Sequence, residues 1–491
     1  MSGTGPLVVV GDALLDVDLL GAVERVAPDA PVPVLDVVEE VPRPGGAALA
    51  ALLAARDGRE VVLVTPLGDD EGAQRLRALL AGTVRVVGLP WTGTTAVKTR
   101  VRSAGQSLVR IDTGGAPGSV TAVTPEAEQV LQGAGAVLVA DYGRGATASE
   151  PLRALLAATA VRVPVVWDPH PRGSAPVAGV RLVTPNAAEA AGASGVPGKG
   201  VGPAAAQAQE LVRRWGATAV SVTLGARGAL VSYGDGAPLV VPAPPVACVD
   251  PCGAGDRFAS AAAGLLADGA LPTEAVQGAV AAASAFVAAG GAASVRVDAP
   301  APAAAPPAGG SVAEPTSGSA ADVIARVRAA GGTVVATGGC FDLLHAGHVA
   351  TLEAARALGD CLVVCLNSDD SVRRLKGPER PLQTEDDRAR VLGALGCVDA
   401  VVVFGEDTPE AVLAELRPDV WAKGGDYAGA DLPEARLVQG WGGAAVVLPY
   451  LDGRSTTSLV ATARRTGTID LDALAGATRP TTHHSTKQES A

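Results

Sequence analysis

The sequence predicts an α/β protein built as two consecutive domains. Three observations carry that prediction. Short apolar, β-branched runs alternate with Ala- and Leu-rich helical patterns along nearly the whole chain. A Pro/Ala/Gly/Ser stretch through residues 298–320 interrupts the alternation and has no means of making a core. At roughly 150 residues per domain, a length of 491 leaves room for a larger unit before that stretch and a smaller one after it. We therefore place domains at 1–298 and 319–468, a linker at 299–318, and a polar tail, expected to be disordered, at 469–491.

In the first part the strands read as Leu7–Val10, Val61–Thr65, Ala136–Ala140, Val163–Trp167 and Ala219–Thr223. In the second they read as Thr333–Thr337, Cys361–Asn367, Ala400–Phe404 and Ala444–Leu448. Apolar strands separated by helices indicate parallel sheets covered on both faces, where ligands bind at the carboxyl ends of strands. The uncharged run Ala275–Val295 contains Gln and Ser and reads as a buried helix, not a membrane span.

Hydrophobic residues are 48%, charged residues 18% and aromatics 3%, so the cores rest mostly on Val, Leu and Ala. The net charge of −12 argues against a nucleic-acid or anionic-membrane binder, because both need a basic surface. Six cysteines form no CxxC pair, and Cys361 and Cys365 fall in an apolar strand. That pattern suits structural thiols in a reducing cytosol. The N-terminus shows no basic n-region and no long apolar h-region, so the expected location is cytoplasmic. A homo-oligomer is compatible with the sequence.

No Walker sequence is present; Gly198-Lys199-Gly200 lacks the flanking residues of one. Instead Asp250-Pro251-Cys252-Gly253-Ala254-Gly255-Asp256 precedes the apolar helical run Phe258–Leu266. Glycines opening a helix let backbone N–H groups point at an anion, and the helix dipole favours negative charge there. Asp256 at that spot is placed to take a proton from a hydroxyl, general-base work worth ~10²–10⁴ in rate. An N-capping Asp after a glycine turn is the structural alternative.

Other segments fall in order around it: Gly11-Asp12 with Asp16, Pro44-Gly45-Gly46-Ala47-Ala48, Thr184-Pro185-Asn186-Ala187-Ala188-Glu189, and Thr223-Leu224-Gly225-Ala226-Arg227-Gly228. Their order and spacing resemble the ribokinase-like (PfkB) sugar kinases over the whole first part. The resemblance implies that Asp12, Asp16, Gly45 and Gly46 meet the sugar. It gives Asn186 and Glu189 to ATP and its Mg²⁺, with Glu189 acting on the metal indirectly. Thr223, Gly225 and Gly228 would line the nucleotide, and Gly253, Ala254, Gly255 and Asp256 would form the anion hole and base. Gly11–Asp16, Ala27–Val34, Arg43–Gly46, Leu108–Asp112 and Asp141–Gly145 further resemble heptose 7-phosphate kinases. Lys98, Arg100 and Arg102 alternate along one strand face. They suit a sugar phosphate, with Lys98 and Arg100 as its ligands, or else belong to a solvated edge strand. Three positions depart from the pattern: Leu49 replaces a sugar-contacting Asn, Cys252 a Thr, and Arg257 another Thr.

In the second part, Thr337-Gly338-Gly339-Cys340-Phe341-Asp342-Leu343-Leu344-His345-Ala346-Gly347-His348 holds two of the chain's five histidines, at i and i+3 near a helix start. A zinc site needs a third ligand, for which Cys340 is the only local candidate, and no HExxH occurs. Two imidazoles beside helix N–H groups fit a nucleotidyl phosphate better. Asn367-Ser368-Asp369, Arg373 to Gly377, Asp387-Arg388, Lys423-Gly424-Gly425-Asp426-Tyr427 and Arg454-Ser455-Thr456-Thr457-Ser458 follow in order. The set resembles the cytidylyltransferase-like nucleotidyltransferases, a superfamily related to class I tRNA synthetases, and most of all heptose 1-phosphate adenylyltransferases. It implies a smaller Rossmann-like domain with His345, His348 and Lys376 stabilising charge. Gly338, Phe341, Asp369, Arg388, Lys423, Gly424, Asp426, Ser455, Thr456 and Thr457 would hold the nucleotide.

Both parts in this order resemble the bifunctional heptose 7-phosphate kinase/heptose 1-phosphate adenylyltransferase family. The resemblance implies a bifunctional enzyme of ADP-heptose biosynthesis acting on sugar phosphates, with ATP as substrate in both halves and Mg²⁺ as cofactor. Two alternatives stay open: a degenerate kinase half that serves as scaffold, or a different sugar phosphate or nucleotide.

Overall fold

The structure, a computed structural model, describes residues 5–104, 106–114, 117–248, 250–295, 319–425 and 432–449. The expected linker and tail, together with Asp426 and Ser455–Thr457, lie outside the described residues. In chain order the first strands are β1 (Leu7–Gly11), β2 (Ala13–Val26), β3 (Pro33–Gly46), β4 (Val61–Pro66), β5 (Arg85–Leu89), β6 (Val97–Ser103) and β7 (Gln106–Thr113). Next come β8 (Ala136–Ala140), β9 (Val165–Asp168), β10 (Leu182–Val183), β11 (Val220–Thr223), β12 (Ala229–Ser232) and β13 (Leu239–Val241). The second part adds β14 (Val334–Gly339), β15 (Cys361–Asn367), β16 (Ala400–Phe404), β17 (Val420–Gly424) and β18 (Ala444–Leu448).

The expected parallel sheets form where the apolar runs predict them. In the first part β5, β4, β1, β8, β9, β10 and β11 lie side by side in parallel, and only β12 runs against its neighbours. In the second, β16, β15, β14, β17 and β18 are all parallel. β1, β8 and β15 are buried along their full length, as strands covered on both faces must be. Ala136–Ala140, Cys361–Asn367, Ala400–Phe404 and Ala444–Leu448 coincide with the expected spans. β9 starts at Val165 instead of Val163, because Pro164 has no N–H and the Val163 N–H donates to Thr159 O. The run from Ala275 forms a helix, Pro272–Ala288, that buries Ala275, Val276, Ala279 and Val280. It stops where Gly290 and Gly291 take positive φ of 103° and 61°.

Two features were not read from the sequence. The first is a separate antiparallel sheet in the order β3-β2-β6-β7, whose 14-residue strands β2 and β3 pair from Ala13↔Gly46 out to Val26↔Pro33. Within it β6 is flanked on both sides, so Lys98, Arg100 and Arg102 do not sit on an edge strand. The solvated-edge reading of those cations fails for that reason. The second is continuity between the two parts. β13 pairs with β18 in parallel at Leu239↔Val447, and the Val447 N–H donates to Pro238 O at 2.9 Å. The two parts thereby share one 14-stranded sheet, and Leu239 and Val447 belong to a single buried cluster.

The antiparallel sheet is fastened by charge. Asp18 and Arg43, each with only 4% of the side chain exposed, form a bidentate pair at 2.5 and 3.2 Å, and Arg102 approaches Asp18 at 3.4 Å. Removing the acid leaves a buried guanidinium without its counter-charge. Asp18→Ala is expected to lower unfolding stability by about 3–5 kcal/mol in a denaturant titration; a loss below about 1 kcal/mol would show the pair to be dispensable.

Candidate functional sites

The first site lies where strand-end logic puts it, at the carboxyl ends of β1, β8, β9, β10 and β11. Gly253 adopts φ 80°, ψ 0° and caps the helix Ala254–Ala267, which sets Asp256 in the first turn with its carboxyl group buried. A Cβ on Gly253 would meet Leu49 Cδ2 at 3.0 Å and Phe286 Cε1 at 3.2 Å, while Gly255 faces open space. The turn therefore needs glycine; the Ala254 amide is given to Pro251 O at 3.1 Å, and Gly253, Gly255 and Asp256 line an opening. That opening is a cavity of about 210 Å³ lined by Asp141, Tyr142, Asp168, Asn186, Glu189, Thr223, Gly253, Gly255 and Asp256.

Burial dominates the electrostatics of this cavity. It pushes Asp256 up to about 7, a rise that the hydrogen bond from Tyr142 opposes and the charge of Asp16 reinforces. Asp168 is raised well above the carboxylate range by burial and then by Asp256, and Glu189 and Asp141 are raised by burial. Four carboxyl groups around one small opening repel a polyphosphate unless a cation joins it. Mg²⁺ is bound through one or two carboxylates plus phosphates and waters, and Glu189 and Asp168 with the Asn186 amide fit such an arrangement. No cluster of three acidic, His or Cys side chains poised to cage a metal exists among the described residues.

The sequence-predicted residues divide into those facing the cavity and those holding it in shape. Asn186 and Glu189 cap the helix Ala187–Ser194 reciprocally. The Asn186 side chain accepts from the Ala188 and Glu189 amides at 3.0 Å, and Glu189 Oε2 accepts from the Asn186 amide at 2.9 Å. Thr223 bridges to Asn186 and donates its N–H to Pro185 O. Gly225 (φ 63°) faces open space, but a Cβ on Gly228 (φ 91°) would collide with Val241 O, so Gly228 serves the packing of the loop. Asp12 is almost wholly buried and its carboxylate accepts the amides of Tyr142, Arg144 and Ala146 at 3.1, 2.9 and 3.0 Å. It was expected to meet the sugar; the structure commits it to shaping the 142–146 loop.

The antiparallel sheet reaches this site through Asp16 and Lys98, whose charges act on the Asp256 carboxyl group. A Cβ on Gly45 would collide with the Asp16 carboxylate, and Gly46 turns the chain at φ 59° into the helix Ala47–Arg56. Asp16 pairs with Arg100 Nη1 at 2.8 Å, and Arg100 Nη2 reaches Cys252 Sγ at 3.6 Å. Lys98 lies opposite Asp16 in register, with Nζ 5.5 Å from the centroid of the Tyr142 ring. The three departures from the family pattern also find places. Leu49 packs under the Gly253 turn, Cys252 meets Arg100, and Arg257 turns away to pair with Asp57 at 2.6 Å.

Tyr142, Asp168, Thr184 and His170 line the cavity and had no role in the sequence reading. Asp168 closes β9 and accepts from the Thr184 hydroxyl at 2.8 Å, and Tyr142 follows β8. Both stand at strand ends, the signal by which they could have been found.

The second site forms at the ends of β14, β15 and β17. His345 caps the helix Ala346–Arg356 through Nδ1, which accepts from the His348 amide at 3.4 Å. The two imidazoles stack with centroids 3.9 Å apart, and Phe341 (φ 43°) meets His348 edge-on at 5.4 Å. Burial, then the neighbouring His345 and Lys376, push His348 down to about 4, so its ring is neutral near pH 7. Lys376 ends the helix Asp369–Lys376 and is exposed. Cys340 is a loop residue whose thiol meets Asn367 Oδ1 at 3.8 Å, which supplies no third metal ligand.

Gly338 and Gly424 are packing positions here: a Cβ would meet Trp421 at 2.6 Å and Thr351 at 2.8 Å, respectively. Lys423 Nζ is engaged by the buried Glu434 at 2.7 Å. Arg388 was expected on the nucleotide, and the structure corrects that. Its fully buried guanidinium donates to Cys340 O at 2.6 Å, Asn367 O at 2.9 Å, Asp369 Oδ1 at 2.8 Å and Gln383 O at 3.1 Å. The side chain stands behind the site and fixes the two loops that frame it.

Residues 6–299 match the pfkB family carbohydrate kinase family, and residues 336–442 match the Cytidylyltransferase-like family. A relative named Bifunctional protein HldE, from Streptomyces coelicolor, is 61% identical over 464 residues, covering 93% of this chain and 96% of that protein. Proteins of the same name from Azorhizobium caulinodans and Gluconobacter oxydans are 41% and 40% identical. They cover 94% and 93% of this chain and 98% and 97% of their own lengths.

Because Arg388 satisfies both loops at once, Arg388→Gln is expected to weaken the second site through its frame. The Michaelis constant for ATP in nucleotidyl transfer should rise at least tenfold and the protein should lose about 3–5 kcal/mol of stability. Unchanged stability with normal nucleotide affinity would contradict the assignment.

Proposed function

The chain belongs to the pfkB carbohydrate kinase family, extended by a cytidylyltransferase-like domain as in the HldE proteins, and we propose that it is a bifunctional enzyme of ADP-heptose biosynthesis. In the first reaction the anomeric hydroxyl oxygen of D-glycero-D-manno-heptose 7-phosphate attacks the γ-phosphorus of ATP. Its proton passes to the Asp256 carboxylate, the bond to the β-phosphate oxygen breaks, and ADP leaves. In the second, a phosphate oxygen of heptose 1-phosphate attacks the α-phosphorus of ATP, giving ADP-heptose and pyrophosphate. A separate phosphatase must remove the 7-phosphate between the two.

The observation that carries the kinase reading is a buried carboxyl group, held near 7, on the first turn of a glycine-capped helix and facing the cavity. A base with that affinity for protons accepts one from a sugar hydroxyl near neutral pH and returns it to water afterwards. The Gly253–Asp256 turn, whose Ala254 amide is already given to Pro251 O, receives the transferring phosphoryl group on its other amides. Asn186 and Glu189 would hold Mg²⁺ through water, and the metal supplies positive charge against the polyphosphate. Arg100, Asp16, Gly45 and Gly46 meet the sugar, with Lys98 facing its phosphate. Arg257, paired outward to Asp57, leaves the cavity clear, which supports an active kinase over a scaffold.

In the second domain no covalent intermediate is needed. The neutral His348 and its stacked partner His345 donate to the α-phosphate as charge builds, helped by Lys376 and by the helix start at Ala346. We assign the two activities to residues 1–298 and 319–468. Six free thiols suit a cytoplasmic enzyme of ATP and sugar phosphates, and no described helix is long and apolar enough to cross a membrane. Val38, 83% exposed, with Val109 and Ile111 on the antiparallel sheet, supports a homo-oligomer.

Asp256→Asn is expected to cut ADP formation from heptose 7-phosphate by ~10²–10⁴ while leaving adenylyl transfer intact. The acid limb of the kinase kcat/KM profile should fall near pH 7, with activity rising as Asp256 loses its proton. A kinase of normal rate in the Asn variant overturns the base assignment.

A further inference from the structure

Resting on the kinase reading above, we propose that Tyr142 is a positioning residue for phosphoryl transfer, aiming the Asp256 carboxylate at the sugar hydroxyl. The Tyr142 phenol donates to Asp256 Oδ1 at 2.5 Å, across 114 residues of sequence. That bond occupies one oxygen of the base and leaves the other for the incoming proton. Tyr142 keeps its own proton throughout, because burial and the charge of Asp256 both raise its phenol.

The loop bearing Tyr142 is built for fixed placement. Asp12 accepts the Tyr142, Arg144 and Ala146 amides, and Asp141 accepts the Gly143 amide at 2.7 Å. Gly143 takes φ 64°, where a Cβ would meet Arg172 Cβ at 2.7 Å. His170 stacks on the Tyr142 ring with centroids 6.3 Å apart, and Lys98 lies over the same ring from β6. A tyrosine held from so many directions serves as a fixed donor.

The groups facing Asp256 come from five places: Asp16 on β2, Lys98 on β6, Tyr142 after β8, Asp168 at the end of β9 and Cys252 before the helix. Asp16 disfavours its ionised form, whereas Tyr142 and Lys98 favour it, and Asp256 in turn raises Asp168. Among these only Tyr142 makes a direct hydrogen bond to the carboxylate. Removing that donor therefore leaves the base harder to ionise and free to turn.

The test compares Tyr142→Phe, Asp256→Asn and the parent chain in steady-state ADP formation from heptose 7-phosphate between pH 5.5 and 9.5, with adenylyl transfer by the same preparations as the folding control. Tyr142→Phe should move the acid limb of kcat/KM upward by about one pH unit. At pH 6.5 kcat should fall at least tenfold, the sugar KM should stay within about threefold, and adenylyl transfer should be unchanged. An unshifted limb with parental kcat overturns the proposal, and so does a loss confined to KM, which would make Tyr142 a sugar ligand. A uniform loss at every pH without a shifted limb overturns it as well, since that is what a purely structural role gives. If Asp256→Asn keeps the parental rate, the base assignment itself falls, a result distinguishable from failure of Tyr142 alone.

Discussion

Bringing a polyphosphate against carboxyl groups is the constraint on which the first site depends. As the proposed base, Asp256 would have to stay close to the transferring group, and charge repulsion opposes that closeness. The fold answers with burial. A dry carboxyl group holds its proton more tightly, so Asp256 rests near 7 and can take and release one near neutrality. The opposing dipole comes from the helix that Gly253 begins, whose first residues line the same opening. Leu49 packs against that turn, and Asp16 and Lys98 of the antiparallel sheet act on the carboxyl group from the other strands. The Asp18–Arg43–Arg102 cluster in turn holds the sheet together.

The second site meets anionic substrate with the opposite means. Its inward groups are imidazoles, and the nearest carboxylates are tied down: Asp369 by Arg388, Asp342 by Arg380, Glu434 by Lys423. The neutral His348 carries a single N–H donor and needs no proton from solution, so the proposed adenylyl transfer needs no titrating base in this half. One chain thus uses a proton-accepting site and a donor-lined site on the same sheet. They remain chemically separate because each gathers its groups from the strand ends of its own half.

The parallel strands were legible because they are nearly pure Val, Leu and Ala between helical segments, and their burial follows directly. Asp256, Asn186, Glu189, His345 and His348 were legible because motif spacing survives in sequence. The strands β2 and β3 were not: Pro33–Gly46 carries Pro42, Pro44 and three acidic residues before Arg43, and becomes strand only by pairing with β2. Tyr142 stands beside the recognised Asp141–Gly145 segment, but its partner Asp256 lies far along the chain, and only the folded structure joins them. Arg388 was legible as important and not in its direction, since a buried guanidinium and a phosphate ligand look alike in sequence. The union of both halves through Leu239 and Val447 carries no sequence mark, because any apolar edge strand reads the same.

The most direct measurement is product analysis by mass after giving the intact chain ATP, Mg²⁺ and D-glycero-D-manno-heptose 7-phosphate, first without and then with a sugar-phosphate phosphatase. Two active sites with a required dephosphorylation between them predict a heptose bisphosphate and ADP alone in the first case. In the second they predict ADP-heptose and pyrophosphate. No bisphosphate in the first case, or no ADP-heptose after the phosphatase is supplied, would contradict the account.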